Sequence, residues 1–84
     1  MRIEDIETDF GAQVLKNLIS DGWRVISEYD KNAFDKGIDF DSYRIYKNGE
    51  HLEFEWDNWT EWKISGSEKE IDKIKEQYFE WKNS

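Results

Sequence analysis

The chain has no cysteine, no proline and a single histidine. Without thiols it can form neither a disulfide framework nor a thiolate metal site, and nothing in it points to an oxidising compartment, so a cytoplasmic protein is expected. One histidine leaves a zinc site short of its usual ligands. His51 would also need a nucleophile and an orienting group within reach to act in acid–base catalysis. Long apolar runs are missing as well: no stretch approaches the roughly 20 residues of a membrane span. The first ten residues are acidic where a secretory signal needs a basic start and an apolar stretch. Neither membrane embedding nor export by that route is expected. The absence of proline leaves secondary structure free to run from end to end.

Positive charge is the next shortage. Twelve Lys and Arg face twenty Asp and Glu, a formal net charge of −8. This balance disfavours direct binding to nucleic acid or to an anionic bilayer, because both reward basic residues. It favours a basic protein partner, and it serves equally to keep a small monomer soluble. At 84 residues the chain is expected to form one domain, residues 1–84, around one modest core. Five Trp, five Phe and four Tyr supply most of its packing volume.

Ile3, Ile6, Phe10, Val14, Leu15, Leu18 and Ile19 recur at three- and four-residue intervals, which predicts an amphipathic helix ending near Ser20 or Asp21, with Gly22 as its left-handed stop. Alternation from Trp23 predicts a strand to about Tyr29. Asp30 to Asp39 reads as a long connection with Phe34 and Ile38 tucked against the core. Asn48-Gly49 is the favoured type I′ turn. It sets Tyr43 opposite Phe54, Arg44 opposite Glu53, Ile45 opposite Leu52, Tyr46 opposite His51 and Lys47 opposite Glu50. For the last strand, Thr60 to Ser65, a three-residue connection Asp57-Asn58-Trp59 pairs Phe54 with Trp62 and Leu52 with Ile64, keeping one face apolar. Ser67 and Glu70 form a capping box that opens the closing helix, with Ile71, Ile74, Tyr78 and Trp81 as its buried stripe. The predicted fold is an α+β two-layer sandwich: helix, four-stranded antiparallel meander, helix (αββββα), with both helices on one sheet face.

Between positions 50 and 61 lie Glu50, Glu53, Glu55, Asp57 and Glu61 without a single Lys or Arg. In the register above, Glu53 is compensated by Arg44 and Lys63, whereas Glu55 directly opposes Glu61. An uncompensated carboxylate pair invites a cation, a basic partner or a raised pKa. Calcium takes about six to eight oxygens from a turn with defined spacing, which Asp57-Asn58 does not approach. A glycosidase-type pair needs a cleft, which an open sheet face lacks. Trp59 falls at the loop tip with no place in the core, and tryptophan among charges is typical of binding hot spots. The expected function is a non-catalytic acidic interaction domain, an antagonist or adaptor, without cofactor or metal. It would engage a basic protein through Glu53, Glu55, Asp57, Trp59 and Glu61. A small-ligand or carbohydrate module using Trp56, Trp59 and Tyr46 is the alternative, and a small enzyme using a carboxylate pair is the third reading.

Overall fold

In the computed structural model, residues 1–28 and 40–83 are described. Their elements follow one another as β1 (Arg2–Ile6), α1 (Thr8–Ser20), β2 (Arg24–Glu28), β3 (Phe40–Lys47), β4 (Glu50–Asp57), β5 (Glu61–Gly66) and α2 (Glu68–Lys82). The expected placement of Phe34 and Ile38 lies outside the described residues.

The fold is α+β with helices packed on an antiparallel sheet, but among the described residues the sheet has five strands rather than four, in the order β1-β5-β4-β3-β2. The added strand is cut from what the sequence predicts as the first turns of α1. Ile3 pairs with Ile64 and Ile6 with Trp62, so three residues on β1 span two on β5. The extra residue is a β-bulge, with Asp5 in the left-handed region at φ 56°. A bulge restores a core-facing side chain after three residues instead of two. Ile3 and Ile6 therefore copy the spacing of a helix while lying in a strand.

α1 starts at Thr8 and buries Phe10, Val14 and Leu15. It stops as its sequence predicts. Gly22, at φ 106°, closes a Schellman turn in which the Trp23 N–H donates to Leu18 O and the Gly22 N–H to Ile19 O. β1 and β2 occupy opposite edges of the sheet and run in the same direction, so α1 crosses the sheet between them. β2 carries its own bulge at Ile26, which breaks the simple alternation expected from Trp23 onward.

α2 begins at Ser67, whose hydroxyl accepts the Glu70 N–H and donates to Glu50 Oε2 at 2.7 Å. Only this half of the capping box forms, because the Glu70 carboxylate turns to Lys73. Ile71 and Ile74 are buried against the sheet, and Trp81, expected in the same stripe, is 42 % exposed. One core joins Ile6, Phe10, Val14, Leu15, Ile71 and Ile74 to Ile45, Leu52, Phe54, Trp62 and Ile64 of the inner sheet face. Both helices thus cover the same face.

The β3–β4 hairpin has the predicted register from Lys47 opposite Glu50 to Tyr43 opposite Phe54, and it continues through Ser42 opposite Glu55 to Phe40 opposite Asp57. The β4–β5 hairpin does not. Asp57 opposes Glu61, Trp56 opposes Trp62, Glu55 opposes Lys63 and Phe54 opposes Ile64, a slip of two residues that keeps the faces but changes every partner. Leu52 now faces Gly66, where a Cβ would run into the Leu52 side chain.

Candidate functional site

The loop joining β4 to β5 is Asn58-Trp59-Thr60. Asp57 builds it. Its Oδ1 accepts the Trp59 N–H at 2.9 Å and the Thr60 N–H at 2.7 Å, and the Thr60 hydroxyl lies 2.9 Å from both carboxylate oxygens. Aspartate holding the backbone two residues on is the usual chemistry of an Asx turn. The Thr60 N–H above all holds the Asp57 carboxyl below its ordinary value; desolvation opposes it, and the Thr60 hydroxyl, the Trp59 N–H and the charge of Lys63 add to the lowering. Lys63 Nζ is 3.9 Å from Asp57 Oδ2.

After the loop, Glu61 takes the left-handed conformation, φ 56°, and its carboxylate leaves the outer sheet face for the start of α1. Its Oε1 accepts from the Thr8 hydroxyl at 3.0 Å and from the Thr8 N–H at 3.3 Å. Glu7, at the cap position, makes no side-chain bond to the helix, so Glu61 supplies the acceptor from another element. Thr8 gathers two indoles as well: Trp56 Nε1 donates to its hydroxyl and Trp62 Nε1 to its carbonyl.

The predicted Glu55–Glu61 repulsion is therefore absent. Glu55 has Ser42 on one side and Lys63 on the other, and Glu61 belongs to the Thr8 network. Glu53 is paired with Arg44 at 2.6 Å and has Ser65, not Lys63, across the other ladder. Of the five predicted residues, Asp57, Trp59 and Glu61 come together at one end of the sheet, while Glu53 and Glu55 lie further back along the outer face of β4. The Trp59 side chain is 90 % exposed.

Trp56, Trp59 and Tyr46 do not share a surface. Trp56 faces inward and is half-buried, while Tyr46 sits on the outer face toward the Asn48-Gly49 turn, its ring 5.0 Å from that of His51. The grooves between α1 and the sheet, between α1 and α2, and between β1 and α2 are lined by neither His51 nor Glu55. Among the described residues no group of three or more His, Asp or Glu side chains is placed to hold a metal ion, and no helix is long and apolar enough to cross a membrane.

Other residues join this end through long-range pairing. Glu7 and Asp9 flank Thr8, Asp41 pairs with Trp56, and the Glu7 carboxylate meets the Tyr78 hydroxyl at 3.4 Å. Asp41, Asp57 and Glu61 thus share the end of the sheet nearest Thr8, with Glu7 and Asp9 on either side of Thr8 in the chain. No spacing in the sequence announces this cluster, because four different elements and their junctions supply it. Phe79, 70 % exposed on α2, is a second residue that the sequence reading passes over. It was legible, since it lies off the Ile71, Ile74, Tyr78 stripe. No protein-family model matches the chain, and neither a curated protein nor a solved structure matches it significantly.

Proposed function

We propose that the domain is a non-catalytic interaction module whose acidic end, tipped by Trp59, engages a basic protein. The observation that carries this reading is the presentation of Trp59: a large aromatic at 90 % exposure on a loop whose backbone is held by Asp57. A side chain on a pre-ordered loop loses little further entropy on binding, and tryptophan is among the residues that anchor interfaces. The surrounding carboxylates, Glu7, Asp9, Asp41, Asp57 and Glu61, suit steering of a positively charged partner more than a neutral one. The proposed surface centres on the end of the sheet around Thr8, with Glu55 at its margin and Glu53 held by Arg44.

The test is affinity capture on immobilised protein and on a Trp59→Ala variant, repeated at about 0.05 and 0.5 M salt, either side of physiological screening. The expected result is a basic protein retained by the native chain at low salt, released at high salt and absent from the variant. Identical capture by both proteins, or capture that is indifferent to salt, would sink the proposal.

A further inference from the structure

α2 presents two stripes. Ile71, Ile74 and Tyr78 pack toward the core, whereas Lys75, Phe79 and Lys82, spaced at i, i+4 and i+7, wall a groove of about 600 Å³. The opposite wall is β1, with Ile3, Glu4 and Ile6 lining it. Among the described residues β1 is an edge strand, bonded to β5 on one side. The bonding pattern shows which of its groups are free. Met1 and Gly66 exchange both hydrogen bonds, at 2.9 and 3.0 Å. Antiparallel pairing alternates, so Ile3 is the next residue bonded to β5, and Arg2 and Glu4 turn their backbone N–H and C=O groups outward.

We propose that this groove accepts an extended acidic peptide of a partner protein, added to β1 as a sixth strand. The residue of that peptide beside Ile3 faces the same way as Ile3 and drops an apolar side chain against Phe79. Its neighbours along the groove set carboxylates near Lys75 and Lys82. Charge selects this occupant: the groove is lined by Lys75 and Lys82 and by one acidic residue, Glu4, which is paired with Arg2 at 3.5 Å, in a chain whose formal charge is −8. Lys82 Nζ already stands 5.3 Å from the Tyr78 ring centre, held over the groove wall. The ladder is short, because the bulge at Asp5 ends regular pairing. Affinity therefore rests on the Phe79 contact and the two lysines as much as on the backbone. This groove does not include Trp59, and it asks for a partner segment of opposite charge.

The experiment is selection of a displayed library of short random peptides against the native chain. The enriched peptides are expected to alternate apolar and acidic residues. Their affinity should fall about tenfold or more in Phe79→Ala, as for a hot-spot aromatic, and comparably when Lys75→Glu and Lys82→Glu are combined. Glu4→Pro removes an outward N–H and no bond to β5, so it should weaken binding while leaving the unfolding temperature near that of the native chain. Trp59→Ala should bind the same peptides unchanged. No enrichment, enrichment of peptides without acidic residues, or full retention of binding by Phe79→Ala would each overturn the proposal. Phe79 is mostly exposed, so a folded variant is expected, and its thermal unfolding curve checks this.

Discussion

β4 belongs to two hairpins that fix their registers by different means. On the β3 side, Asn48 and Gly49 take φ 51° and 82°, the left-handed pair that a two-residue type I′ turn demands. Two residues therefore dictate eight cross-strand pairs. On the β5 side, the loop is held by one side chain, that of Asp57, and the strand beyond it is held by another element: Trp62 donates to Thr8 O, and Glu61 reaches back to cap α1. A register encoded in backbone preference can be read locally. A register held by side chains and a distant helix cannot.

The largest test of this contrast attacks the β5 side from outside the hairpin. Gly11 lies on α1 directly against the Trp62 indole, and a Cβ built there would overlap the ring. Gly11→Ala should destabilise the domain by about 1–3 kcal/mol, the usual cost of overpacking, seen as a lower denaturant midpoint at unchanged slope. A neutral result would mean that β5 does not depend on α1 for its position. On the β3 side, Gly49→Val forces a branched residue to φ 82° and should cost about 1–2 kcal/mol. Its effect should be local to the turn. Amide exchange would then quicken around residues 46–51 before it does in β5.

Acid provides a smaller test that separates the two hairpins within a single molecule. The Asp57 carboxyl has a folded pKa below its unfolded value near 3.8. Its contribution to stability is therefore complete above 3.8, declines as the pH falls through that value toward the lower folded pKa, and is gone beneath it. The 58–60 loop should loosen across that window while the Asn48-Gly49 turn, which uses no carboxylate, keeps its amide protection. Asp57→Asn retains an acceptor for the Trp59 and Thr60 N–H groups but does not titrate. In that variant the acid response of the loop should flatten, as read from the amide signals of residues 58–60 between neutral pH and pH about 2. An unchanged acid response would remove Asp57 as the cause.

What could be read in the chain divides along the same line. The β3–β4 register, the Gly22 stop and the Ser67 cap were legible because each depends on residues adjacent in sequence. β1 was not, since a bulge at Asp5 gives Ile3 and Ile6 the spacing of a helix. The β4–β5 register failed for a related reason. Two three-residue loops, slipped by two, bury the same parity of side chains, and the hydrogen bonds of Asp57, the bonds of Glu61 and Trp62 to Thr8 and the side-chain-free Gly66 opposite Leu52 distinguish them. The candidate site inherited that slip. The loop position of Trp59 is legible in the sequence, but Glu55 and Glu61 do not pair, and the carboxylates that share the Thr8 end of the sheet come from positions far apart in the chain.

Trp59→Ala is the mildest change to the fold and the sharpest to the proposed function. The indole makes none of the bonds that shape the loop; the group Trp59 contributes to Asp57 is its backbone N–H, which alanine also carries. A mostly exposed side chain outside the core should alter stability by no more than about 0.5 kcal/mol. The two hairpins should therefore keep their registers, with amide shifts confined to residues near 57–61. Loss of partner capture in a variant of native stability would assign the indole to recognition. A clear fall in stability would instead place Trp59 among the side chains that hold β5 to β4, and the contrast between a hairpin held by its turn and one held by its surroundings would then extend to the tip of the loop.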